Sequence, residues 1–229
     1  MFTKPKQKNA ILFTQCLQND FISKDALGSN AIHIGEVESE RLRTNLSNFL
    51  NTFKIPEEGV HFVHIRDWHD DTATEARERG ELAMFKPHCI KNTEGAKLYG
   101  KLEEFVKRYL SLNTVVNSNT LNDVNETTLS NVITSLVRDE NRDNINVGIV
   151  GVWTNAKVIF LAYELITRFN FTNVAVCPAL CAADSKESHE IGLKILHNVL
   201  GVRMVDDITE FQKFLGIYAP PGQHSQLAF

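Results

Sequence analysis

The chain has 229 residues, and 24 Lys and Arg against 28 Asp and Glu leave a formal charge of -4 at neutral pH. Hydrophobic residues at 43% and charged residues at 23% are the proportions of a folded globular protein and exclude a disordered one. The acidic balance gives no support to a nucleic-acid-binding face, and no apolar run approaches the roughly 20 residues of a membrane helix, so neither nucleic acid nor membrane is expected as a partner.

In chain order, Ala10 to Thr14 is a short apolar run that reads as a buried strand. Val37 to Phe53 carries Leu42, Leu46, Phe49 and Leu50 at helical spacing, with Pro56 and Gly59 as its stop signals. Val60 to Ile65 is a second strand, Asp67 to Gly80 a polar, charge-rich loop, and Leu98 to Leu110 a helix. Val115 and Val116 mark a third strand and Thr127 to Val137 the next helix. Val147 to Val150 is a strand ending at Gly151, followed by Asn155 to Phe169, apolar almost all round and therefore expected as a buried helix. Val174 to Cys177, Ser185 to Leu200, Val202 to Val205 and Ile208 to Leu215 complete the alternation of strand and helix. That alternation predicts an α/β protein of three α/β/α layers, Rossmann-like, on a parallel sheet of about six strands. We expect one domain over 1–229, with a core of about 9–216 and an extended C-terminal tail at 217–229 that contains Pro220, Pro221 and Gly222.

Such folds bind ligands beyond the carboxyl ends of their strands. Four segments follow strand ends and are expected to converge there: Gln15 to Phe21, Arg66 to Asp71, Asn117 to Asp123, and Gly151 to Lys157. Asp67 and His69 stand two apart at a strand end, with His88 further on. Carboxylate and imidazole are ligands for zinc, iron or manganese, though a hydrogen-bonded loop would use the same residues. Gly151 to Val158 (GVWTNAKV) is a strand–turn–helix passage in which Thr154 is placed to cap the helix, and its free N–H groups suit an anion. A lysine in that first helical turn is disfavoured by about 0.3–1 kcal/mol. Lys157 therefore either reaches a carboxylate, extends to water, or has a lowered pKa. Leu17 to Phe21 (LQNDF), with Asp20, could line the pocket or form a turn. Cys16 could act as a nucleophile only beside a cation or base. The four cysteines, Cys16, Cys89, Cys177 and Cys181, form no CxxC pair, and the short N-terminal apolar run is no signal peptide. They are expected as reduced thiols in a cytoplasm. Neither a GxGxxG nor a Walker A loop nor a GxSxG elbow occurs.

Taken in order, these segments resemble the isochorismatase-like superfamily, the cysteine hydrolases that include nicotinamidases. The resemblance rests on ILFTQCLQNDF (11–21), FVHIRDWH (62–69), PHCIKNTEGA (87–96), GVWTNAKV (151–158) and the stretch 180–196 with His189. It implies a metal set at Asp67, His69 and His88, a pocket with an oxyanion site from Asp20, Trp153, Thr154 and Lys157, a cis bond between Val152 and Trp153, and a homo-oligomer. The family's triad of aspartate, lysine and cysteine falls on Cys16, on Asn117 or Ser118, and on Lys157, so none of the three is kept. The resemblance thus implies a catalytically altered or inactive homologue that binds a small ligand or a partner. Two alternatives remain: a metal-dependent amide or ester hydrolase using Asp67, His69 and His88, with a neutral Lys157 as base or Schiff-base nucleophile, and a structural subunit whose pocket is filled by Trp153 and Lys157. A metal beside Lys157 requires a carboxylate such as Asp20 or Asp123 between them.

Overall fold

In the computed structural model, residues 9–26, 32–52, 60–125, 127–138 and 140–218 are described. Six strands among them, β1 (Asn9–Gln15), β2 (Val60–Asp67), β3 (Asn113–Ser118), β4 (Ile145–Val152), β5 (Val174–Ala182) and β6 (Arg203–Met204), form one sheet in the order β3-β2-β1-β4-β5-β6. Every neighbouring pair is parallel. The helices are α1 (Asn19–Ile22), α2 (Glu36–Asn51), α3 (Ala76–Phe85), α4 (Gly100–Arg108), α5 (Leu129–Val137), α6 (Lys157–Thr167), α7 (Lys186–Asn198) and α8 (Ile208–Leu215). Helices α2, α4 and α8 pack together against one face, and α6 and α7 against the other, as right-handed crossovers on either side of β1 require. The strand order reverses between β1 and β4, which opens a crevice at their carboxyl ends.

The two central strands are buried almost throughout, which is why both read as continuous apolar runs rather than alternating ones. Leu42, Leu46, Phe49 and Leu50 are the buried stripe of α2, and Leu129, Ile133 and Val137 that of α5. The expected three-layer architecture is therefore present, with four local departures. The loop expected over Asp67 to Gly80 contains the start of α3. The strand expected to stop at Cys177 continues to Ala182 through Pro178: register with β4 shifts between Ile149 and Gly151, and side chains of α2 donate to the displaced carbonyls. Arg41 donates to Ala179 O (3.2 Å) and Cys181 O (2.7 Å), and Asn45 to Ala179 O (2.8 Å). Helix α6 is not wholly buried, because Phe160 and Tyr163 are 40% and 52% exposed. Ile217 is fully buried, so the packed part runs past 216; the rest of the expected tail from 219, and the stop signals at Pro56 and Gly59, lie outside the described residues. No described helix is long and apolar enough to cross a membrane.

One buried polar network pins the β1–β2–β3 half of the sheet. Asn113 Nδ2 donates to the Tyr109 carbonyl (2.7 Å), which leaves its Oδ1 to accept from His64 Nε2 (2.6 Å). His64 Nδ1 is then the acceptor for the Thr14 hydroxyl (2.8 Å). Burial pulls the His64 imidazole down to about 4, although the bond to Asn113 opposes it. A histidine held below its unfolded value contributes stability that is complete above about pH 6.5 and is lost as pH falls toward 4, in total about 3 kcal/mol. Urea titrations at pH 7 and pH 4.5 are expected to show the His64→Gln variant losing about 2–3 kcal/mol less between the two than the parent. Equal losses would show that this imidazole does not control the acid limb.

Candidate functional site

The carboxyl ends of β1, β2, β3 and β4 bring the four expected segments together. Asp67 closes β2, and Gln18 holds its backbone: the Asp67 N–H donates to Gln18 Oε1 (2.7 Å), while Gln18 Nε2 donates to Asp67 O (2.7 Å) and Ala96 O (2.9 Å). The following loop pairs with a later one. His69 N–H donates to Cys89 O (3.1 Å) and Lys91 N–H to His69 O (2.8 Å). This short ladder sets the His69 and His88 rings 4.6 Å apart. His88 Nδ1 bonds the Lys86 carbonyl (2.7 Å), leaving Nε2 facing Asp67 Oδ2 at 3.7 Å. Both ring nitrogens of His69 are buried and lack a hydrogen-bond partner.

Asp20 serves the loop rather than the pocket. Its Oδ2 accepts from Cys89 N–H (2.7 Å), and its carboxyl packs so closely on Gly95 that a Cβ there would come within 2.1 Å. At the other side, Gly151 has φ +132° and lies against β1, where a Cβ would fall 2.0 Å from Gln15 O. The Val152–Trp153 bond is cis, as the resemblance implies. Thr154 does not cap α6. Its N–H donates to Ala182 O (2.9 Å) and its hydroxyl pairs with His189 Nδ1 (2.8 Å), and the helix begins after Ala156 with no side-chain cap. Gly192 of α7 lies against this turn, where a Cβ would meet the Thr154 carbonyl carbon at 2.7 Å.

Lys157 is buried and reaches back across the sheet edge. Its Nζ contacts Asp67 Oδ1 and stands 3.2 Å from Asp123 Oδ1 in the loop after β3. Of the three fates open to this lysine, it takes the first; the carboxylate between it and the histidines is Asp67 itself, with Asp123 on the far side of the ammonium and Asp20 engaged elsewhere. Burial works against its charge, but Asp123 and Asp67 outweigh it and hold the ammonium well above the usual lysine range. Burial likewise raises Asp67, yet Lys157 and then His88 hold its carboxyl well below the usual range. Asp123, for which burial exceeds the pull of Lys157, is raised. Burial takes His69 down to about 4, so it is neutral at pH 7. Asp67 outweighs burial at His88 and raises it.

Cys16 follows β1 with φ +49°, is fully buried, and accepts from Gln15 Nε2 at 3.0 Å. Burial, then the charge of Asp67, push its thiol well above the ordinary value despite Lys157. Ser118 is buried at the end of β3, with its hydroxyl donating to Thr120 O (3.1 Å). Cys16, Ser118 and Lys157 thus present a buried thiol, a hydroxyl bonded locally and a paired ammonium.

Two residues escaped sequence reasoning. Glu78 and Glu81 of α3 are buried beside His69, with Glu78 Oε1 3.6 Å from Nδ1 and Glu81 Oε1 3.9 Å from Nε2. Glu78 also accepts from Asp70 N–H (2.7 Å) and Asn119 Nδ2 (3.0 Å). Burial pushes Glu81 up to about 7. Their i, i+3 spacing was the available signal. A cavity of about 50 Å³ opens beside these groups, with Phe21, Ile32, Phe85 and Trp153 as apolar walls and Glu81 and Lys157 among its polar ones. The buried Trp153 Nε1 has no partner.

The donor set fits a divalent ion. One oxygen of Asp67 and one nitrogen each of His69 and His88 lie within 4.8 Å of one another, all three residues are buried, and His69 offers neutral, unpartnered nitrogens.

Sheet order, the cis turn before α6 and a pocket at the β1–β4 switch point make up a Rossmann-like α/β fold. Solved structures of nicotinamidases and isochorismatase-like hydrolases share that fold. The nicotinamidase/pyrazinamidase of Bacillus subtilis superposes with a TM-score of 0.70 at 20% identity, over 86% of this chain and 100% of that one. A pyrazinamidase of Pyrococcus horikoshii in complex with zinc gives 0.64 at 20% identity, over 87% and 99%. An isochorismatase-like hydrolase of Alkaliphilus metalliredigens gives 0.65 at 18%, over 91% and 97%. No family sequence model and no curated protein sequence matches the chain.

Gln18 fixes the backbone of the residue that joins both halves of the site. Replacing it with Leu leaves the buried Asp67 N–H and carbonyl without partners, and is expected to cost about 2–4 kcal/mol in denaturant unfolding. A loss below about 1 kcal/mol would mean that the loop is held elsewhere.

Proposed function

We propose that this protein is a catalytically altered relative of the cysteine hydrolases, one that binds a small ligand at the β1–β4 switch point without thiol chemistry. The observation that carries the reading is Lys157: an ammonium clamped between Asp67 and Asp123 stands where the resemblance puts the nucleophile. A nucleophilic thiol needs a stabilised thiolate. Cys16 has the reverse environment, buried and beside Asp67. The two carboxylates beside Lys157 count against the neutral-lysine alternative, because they favour its charged form.

The cavity favours a small, flat ligand. About 50 Å³ holds roughly three or four waters, far below the ~300 Å³ of an ordinary ligand pocket. Aromatic walls would stack on a ring, Trp153 Nε1 would donate to an acceptor, and Glu81 at its raised value would donate or accept. Aromatic carboxamides and carboxylates such as nicotinamide and nicotinate have that chemistry, and at nine heavy atoms each they would enter only with the walls moved apart.

A second reading is favoured by the unpartnered nitrogens of His69. A divalent ion held by Asp67, His69 and His88 would supply Lewis acidity toward a carbonyl or water. In that case this chain's residues would orient the substrate against Trp153 and keep bulk water out.

Ammonia release from nicotinamide and pyrazinamide, measured with protein supplied with zinc or manganese, is expected to stay at the buffer rate. Turnover lost in Cys16→Ser would overturn the proposal, and turnover lost on chelation would establish the second reading. Small aromatic amides and acids are expected to quench Trp153 fluorescence, with the response absent in Trp153→Phe. No response to any of them would remove the ligand-binding reading.

A further inference from the structure

We propose that Lys157 is a built-in counter-cation that, together with Asp123, sets how tightly the Asp67/His69/His88 cluster holds a divalent ion. The inference rests on reading those three residues as a metal site; it does not depend on whether the protein hydrolyses anything. Asp67 is the one carboxylate of the donor set, and its two oxygens face opposite ways. Oδ1 accepts from Lys157 Nζ, while Oδ2 faces His88 Nε2 at 3.7 Å. One anionic charge is thus shared between an ammonium and the histidine pair. In a buried site a neighbouring cation lowers the potential that draws a divalent ion far more than it would in water.

Asp123 acts on the same balance from the other side. Its Oδ1 stands 3.2 Å from Nζ, and neither of its oxygens has a hydrogen-bond partner. It takes part of the ammonium's charge and leaves more of Asp67 for the histidines. Helix α6 offers Lys157 nothing, because the N-terminus of a helix repels a cation. The two carboxylates alone hold the ammonium there. Removing the charge of Lys157 and removing that of Asp123 should therefore shift metal affinity in opposite directions. A metal site with a merely adjacent, structural lysine would not behave so.

The test is the dissociation constant of Co²⁺ and Zn²⁺, measured at one pH and ionic strength by competition with a chromophoric chelator. The visible absorption of bound Co²⁺ reports the site itself, and circular dichroism reports folding. Lys157→Met is expected to bind roughly tenfold or more tightly than the parent, and Asp123→Asn roughly tenfold more weakly. Because Lys157→Met leaves two buried carboxylates without a counter-ion, the double variant Lys157→Met, Asp123→Asn keeps the comparison open. It is expected to fold and to bind more tightly than Asp123→Asn alone. His69→Ala is expected to lose the Co²⁺ spectrum in every background. Unchanged constants in the Lys157 and Asp123 variants, with binding still lost in His69→Ala, would overturn the inference and leave the metal site standing. No Co²⁺ spectrum in any folded protein would overturn both.

Discussion

The ammonium of Lys157 between Asp67 and Asp123 is the interaction on which the rest of the site depends. Each of the three groups is buried, and each alone would carry a desolvation penalty of several kcal/mol. Together they tie the end of β2, the loop after β3 and the first turn of α6 into one unit. The surrounding backbone is arranged so that this contact can form. Gly151 lets β4 press against Gln15, and Gly192 lets α7 close on the Thr154 turn from behind. Gln18 fixes the peptide on both sides of the Asp67 Cα. Any shift in these supports moves a charge relative to its partner.

The same clamp is what the proposed loss of thiol chemistry rests on. A thiolate is favoured by net positive potential, and the nearby ammonium of Lys157 has its charge taken by two carboxylates. Cys16 therefore meets burial and Asp67 without relief. Asp123 and Asp67 favour the protonated form of Lys157 despite its burial. What remains available is the half of the site on the far side of Asp67: neutral His69, and His88 with Nε2 turned inward. Asp67 couples the two halves because one carboxylate has two oxygens.

Much of this was legible in the sequence, for physical reasons. Apolar runs such as Ile11 to Phe13 and Val147 to Val150 can only be buried strands in a chain of this composition, and their alternation with helical stripes fixes the layers. The convergence of Asp67, Asp123 and Lys157 followed from the rule that such sheets bind at their carboxyl ends. Helix α3 was not legible, because its inward face carries Glu78 and Glu81 where an apolar stripe would mark a helix. The continuation of β5 was hidden by Pro178 and depends on Arg41 and Asn45, more than 130 residues away in sequence, to donate to its displaced carbonyls. Thr154 looked like a helix cap because its partner, His189, lies on another helix. Local spacing carries no record of such pairings.

The charge content of the pocket argues that it is used. Buried ion pairs are poor sources of stability, and well-packed apolar residues of similar volume commonly do as well or better. A purely structural core at this switch point would be expected to look like the sheet interior, where Phe13, Ile65 and Val150 pack without polar atoms. Here Asp67, His69, His88, Asp123 and Lys157 are all buried within one small region, with Glu81 at its wall. Several of their polar atoms lack partners: both nitrogens of His69, Oδ2 of Asp123 and Nε1 of Trp153. Unsatisfied groups at this density are costly when the site is empty of solute, and the cost falls once an ion or a small polar ligand supplies the missing contacts. The arrangement of its charges, anionic at Asp67 and neutral at His69, is one that the proposed cation and small ligand would complement from opposite sides.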